Sequence, residues 1–184
     1  MRIHTFRASL SGLAKQVICA SVVSGVMLGA TSVKAEVCAN TAARKALEMR
    51  VLQSELMVSA LTCGQRSHYN SFVTAFKPYL KKQGTQLRAF FAAAYGSKLG
   101  PKKLNKTVTR LANMASQNSL SGGTEAYCKA AETRFKMALK STHKDLALMA
   151  HANPHANAHG YKTCVEVANR NVAEGDVSTS QGVN

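Results

Sequence analysis

The 184-residue chain predicts an all-α fold, most simply a four-helix up-down bundle stapled by two disulfides. Three observations carry this reading. Apolar residues recur every three or four positions over long stretches, and no strand-like alternation persists anywhere. Four of the five cysteines lie beyond residue 35. A hydrophobic fraction of 46% with 18% charged residues excludes wholesale disorder, and neither a G-X-Y period nor an apolar run of spanning length appears.

Residues 1–35 read as a secretory signal peptide. Arg2, Arg7 and Lys15 form a basic start, the 14 residues Val17–Ala30 an apolar middle, and Val33 and Ala35 the small residues before a cut at Glu36. Its loss removes Cys19 and four bases (Lys34 is the fourth) but no acid. Residues 36–184 then keep 20 bases against nine acids, a net of +11. A periplasmic or secreted location is expected, where Cys38, Cys63, Cys128 and Cys164 pair as two disulfides.

The bundle domain is placed at 36–170. Its first helix runs from the cap Asn40 to Thr62, with Gly64 just past its end and Ala42, Ala46, Met49, Leu56 and Ala60 as the buried stripe. A second helix spans about Ser67–Tyr95, where Phe72, Phe76, Tyr79, Leu80, Leu87, Phe91 and Tyr95 keep one phase. Pro78 is expected to kink it. A full break at Gly84 is the competing reading and would give five helices. The third helix starts at Pro101 with Leu104, Val108, Leu111 and Ala115, and ends at Ser121-Gly122-Gly123. The fourth runs from Thr124 through Tyr127, Ala131, Phe135, Ala138 and Leu146 to about His151. Residues 151–160 read as a proline-interrupted loop, Tyr161–Arg170 as a short ordered piece, and 171–184 as a flexible polar tail.

A straight helix over Asn40–Thr62 is roughly 35 Å long, so Cys38 and Cys63 at its two ends cannot meet. Four antiparallel helices predict Cys63–Cys128 with Cys38–Cys164. A reversal at Gly84 predicts Cys38–Cys128 with Cys63–Cys164 instead.

The charge distribution is the main functional signal. Between Glu55 and Glu125 there is no acid, while ten bases occur: Arg66, Lys77, Lys81, Lys82, Arg88, Lys98, Lys102, Lys103, Lys106 and Arg110. From Lys77 onward these nine are the candidate anion-binding residues, converging towards the turn Gly96–Lys103. A one-signed block of this kind attracts an anionic envelope polymer, a lipid headgroup or an acidic protein, or serves only as a solvated face. Aromatic residues fall on the buried phase and no zinc-finger or RNP-like motif occurs, so no specific nucleic-acid role is expected.

His151, His155 and His159 recur every four residues and are the alternative signal, a Cu, Zn or Ni site, with only Glu166 near enough in sequence to join them. Their charging below about pH 6.5 would make the loop more basic. Glu48 is assigned to the charged face beside Arg44 and Lys45, and Glu55 is read as a buried partner of Arg50 or Arg66. No G-x-S-x-G elbow, HExxH, P-loop or glycine-rich nucleotide fingerprint occurs. Cys63 lies near His68, but a disulfide-bonded cysteine is no nucleophile. Binding rather than catalysis is the expectation.

Overall fold

The computed structural model describes residues 36–179. The expected signal peptide lies outside them, as does the end of the tail from residue 180. Among the described residues there are six α-helices: α1 (Thr41–Thr62), α2 (Arg66–Ala75), α3 (Lys77–Leu120), α4 (Thr124–Lys140), α5 (His143–His151) and α6 (Cys164–Thr179). A 3-10 helix covers Ala156–His159. None is long and apolar enough to cross a membrane.

α1 begins as its sequence suggests, with the Asn40 side chain accepting from the Ala43 amide at 2.9 Å, and ends before Gly64, whose φ is 68°. It is buried on nearly every side rather than along one stripe. Ala46, Met49, Leu56 and Ala60 are inside, but so are Leu47, Glu48, Val51, Ser54, Glu55 and Val58, while Ala42 is exposed. Five elements surround it: α2, α3, α4, α5 and the 3-10 helix. Its first half packs Ala43, Ala46 and Leu47 against Leu87 and Phe91 of α3. Its second half packs Met49, Leu52, Leu56 and Ala60 against Phe72, Phe76, Phe135, Leu146 and Ala150. Helical serines and glutamates hide this all-round burial in the sequence.

The expected second helix is cut at Phe76, which ends α2 and opens α3. Pro78 follows in the first turn of α3, where a missing N–H costs nothing. Gly84 is helical, so the break expected there as the competing reading is absent. The chain reverses at Gly96 instead (φ 75°, ψ 165°). Leu87 before it and Leu104 after it line one cavity with α1, so the two limbs of α3 lie side by side. Gly100 sits so close to the first limb that a Cβ there would meet the Phe91 carbonyl oxygen at 2.8 Å.

The expected fourth helix is also two. α4 ends at Lys140, and Thr142 caps α5 reciprocally: its hydroxyl accepts from the Asp145 amide at 3.2 Å while Asp145 accepts from the Thr142 amide at 3.1 Å. The apolar phase carries on across this cap, which disguises the break.

Cys63 pairs with Cys128 and Cys38 with Cys164, with Cα separations of 5.4 and 4.8 Å. Beside the second bond, the Ala39 amide donates to the Lys162 carbonyl and the Cys164 amide to the Ala39 carbonyl. Thr163 and Glu166 then cap α6 reciprocally. The helix continues to Thr179, into the segment the sequence read as a tail.

Candidate functional site

The nine candidate anion-binding residues divide four ways. Lys98, Lys102, Lys103 and Lys106 are exposed around the Gly96 reversal, with exposed Leu99 among them. The Lys103 ammonium lies over the Tyr95 ring, 5.4 Å from its centroid. Lys77, Lys81 and Arg88 run along the first limb at helical spacing, and Arg88 donates to Thr85 Oγ1 at 3.0 Å. Among the described residues, no carboxylate lies within 4 Å of any of these side chains.

Lys82 faces elsewhere. It lines a shallow groove together with Lys45 of α1 and His143 and Lys144 of α5. The His143 ring stacks on Tyr79 at 5.0 Å in that groove. The sequence did not join Lys45, His143 and Lys144 to Lys82, because they are far from it along the chain.

Arg110 has a different task. Its guanidinium donates to the carbonyls of Ala158 at 2.8 Å and His159 at 2.7 Å, fastening the 3-10 helix to α3.

The three histidines are not brought to one point. His151 Nδ1 lies 3.0 Å from Glu48 Oε1, and His155 Nδ1 lies 2.8 Å from Glu55 Oε1. His159 is buried, and its Nδ1 accepts from the Tyr161 amide at 3.0 Å, which places the proton on Nε2. Burial pushes the His159 pKa below its ordinary value; nearby Glu48 opposes this and Arg110 reinforces it. Glu166 belongs to the α6 cap. Among the described residues, no three His, Cys, Asp or Glu side chains are placed to hold one metal ion.

No family model, curated protein or solved structure matches this chain. The site must therefore be read from its own geometry.

The two glutamates differ from their sequence assignments. Glu48 is buried, with His151 and the Arg44 guanidinium (3.8 Å) as partners rather than a place on the charged face. Glu55 accepts from Asn153 at 2.6 Å as well as contacting His155, with Arg134 at 3.8 Å; neither Arg50 nor Arg66 pairs with it. Its partners are about a hundred residues away in the chain, beyond any local pattern. Each glutamate's nearest imidazole also covers α1. Cys63 is disulfide-bonded, and His68 stacks on Phe135.

Among the described residues, Arg50 has no carboxylate within 4 Å. It donates to Gln53 Oε1 at 3.1 Å, its Nε is buried with no hydrogen-bond partner, and burial lowers its pKa from the usual arginine value. It lines a cavity of about 250 Å³ between α1 and the two limbs of α3.

Proposed function

We propose that this chain is a binding protein of the cell envelope that docks an anionic surface through the reversal of α3. The observation that carries the reading is the cluster Lys98, Lys102, Lys103 and Lys106 around Gly96, exposed and without neighbouring carboxylates. Four lysines held within the first three turns of the limb that leaves Gly96 concentrate positive potential at one edge, where they attract an array of phosphates or carboxylates. Leu99, 56% exposed among them, favours a layer of lipid headgroups over a soluble polymer or an acidic protein, because its side chain can enter the headgroup boundary while the lysines engage phosphates. Two disulfides support a place in an oxidising compartment. Lys77, Lys81 and Arg88 extend the same field along the first limb. Catalysis finds no support in the Glu48–His151 and Glu55–His155 pairs, which satisfy each other against α1.

Co-sedimentation with phosphatidylglycerol vesicles tests the reading, with phosphatidylcholine vesicles as the neutral reference. Binding to the anionic vesicles is expected at low salt and should collapse towards 1 M salt, where the Debye length falls to about 3 Å. Replacing the four reversal lysines by Gln should remove it, and Leu99→Ala should weaken it. Binding that ignores salt, or that survives loss of the four lysines, overturns the proposal.

A further inference from the structure

A half-open cavity lies between α1 and the two limbs of α3. Its polar lining is Arg50, Gln53, Gln83, Arg88 and Asn105, which offers two guanidiniums and three amides and contains no acid. The remaining wall is apolar and includes Met49, Leu80, Leu87, Leu104 and Val108. The half-buried Arg50 guanidinium would gain strongly from a carboxylate, yet among the described residues none lies within 4 Å of it or of the exposed Arg88. The Arg50 Nε is sealed from solvent and donates to nothing, although Gln53 occupies another nitrogen of the same group.

Gly84 shapes this cavity. It lies inside a helix, where glycine is normally a cost, and its φ is not in the left-handed region. A Cβ at this position would meet only the Arg88 guanidinium, at 3.6 Å, so neither backbone strain nor close packing demands glycine. The missing side chain instead keeps the floor open beneath Arg88.

We infer that the cavity between α1 and the α3 limbs is a binding site for a small organic carboxylate, held at its head by Arg50 and Arg88 and at its short apolar body by Met49, Leu87 and Leu104. The planar fork of a guanidinium matches a carboxylate, and the three amides can donate to remaining lone pairs. The apolar wall separates this class from inorganic phosphate, which needs polar partners on every side. At about 250 Å³ the space lies below the usual range for larger ligands, so the body must be short. The site is distinct from the lysine cluster at the reversal and does not rest on the docking reading.

Calorimetric titration of the purified, disulfide-bonded protein with butyrate, acetate and inorganic phosphate tests the inference. Saturable binding is expected, with butyrate tighter than acetate and acetate tighter than phosphate. Arg88→Gln, at an exposed side chain that leaves the core intact, should weaken butyrate by about tenfold or more, as loss of a charge-assisted hydrogen bond implies. Arg50→Gln should do the same. Gly84→Leu should abolish binding while leaving the melting temperature equal or higher, an outcome that a merely structural glycine would not give. The variant lacking the four reversal lysines should bind butyrate as the wild type does, so the two sites fail independently. No saturable binding, equal binding of phosphate and butyrate, or affinity unchanged by Arg88→Gln overturns the inference.

Discussion

The Arg110 guanidinium bridges the carbonyls of Ala158 and His159, at 2.8 and 2.7 Å, and so holds the end of the 3-10 helix against α3. The most C-terminal base of the acid-free block is thus spent on the fold. Arg110→Ala is expected to cost about 1–3 kcal/mol of stability, since hydrogen bonds from a charged donor are lost. Denaturant unfolding should show that loss, while anionic-vesicle binding, corrected for the folded fraction, should fall far less than on removing Lys98 and Lys102.

Two glycines of the same helix should respond oppositely to alanine. Gly100→Ala forces a Cβ to within 2.8 Å of the Phe91 carbonyl oxygen and should destabilise by about 1–3 kcal/mol. Gly84→Ala meets only ordinary contact and should stabilise by up to about 1 kcal/mol. Thermal melts of the two variants beside the wild type decide the matter.

His159 should make stability pH-dependent. Its pKa is lowered in the folded state by burial, so the folded protein prefers the neutral ring. Its contribution is then complete above the unfolded value of about 6.5 and is lost as pH falls below it. Protonation also removes the Nδ1 acceptor used by the Tyr161 amide. Glu48, Arg110 and Glu166 are the charged groups near it. His159→Asn keeps an acceptor but does not titrate, so the urea midpoint measured at about pH 7.5 and about pH 5 should differ less in the variant than in the wild type.

Glu55 holds Asn153 and His155 over the second half of α1. Glu55→Ala leaves the amide and the imidazole without their acceptor and should cost about 1–3 kcal/mol. Faster amide hydrogen exchange across 153–160, with less change in α2, would mark the local release of this segment.

Much of this arrangement could be read from local signals and some could not. The Asn40 cap and Gly64 mark the limits of α1 because capping acts within a few residues. The impossibility of joining Cys38 to Cys63 follows from helix length alone, and the structure contains the pairs that an antiparallel ordering implies. Two of the expected four rods are each broken in two, for different reasons. At Phe76 the periodic phase of Phe72, Phe76 and Tyr79 survives a change of direction, so periodicity is blind to the break. At Thr142 the cap is written as Thr-x-x-Asp, but the apolar stripe running on to Leu146 conceals it. The reversal fell at Gly96, inside the turn expected there, whereas Gly84 proved helical. The least legible feature was the pairing of Glu48 and Glu55 with His151 and His155, because those contacts depend on how α5 and the segment after it lie against α1 rather than on any spacing. The lysine groove of Lys45, Lys82 and Lys144 was hidden for the same reason.

Reducing either disulfide should have similar cost despite the different loops. The bonds close sequence separations of 65 and 126 residues, and loop entropy gives about 4 and about 5 kcal/mol respectively. Paired Cys→Ser variants compared by urea unfolding should differ by about 0.6 kcal/mol. A much larger loss for Cys38/Cys164 would show that the Ala39–Thr163 pairing beside it unravels as well.

The burial of α1 bears on when this chain can acquire its native form. α1 precedes every other described helix in order of synthesis, yet two of its coverings, α5 and the 3-10 helix, come after residue 140, and the bond anchoring the segment before it waits for Cys164. Until those residues emerge, Glu48 and Glu55 lack their histidine partners and the sides of α1 that α5 will cover stay wet. A nascent chain of this design cannot close its core ahead of completion. The last covering of α1 is added only with residues 143–164.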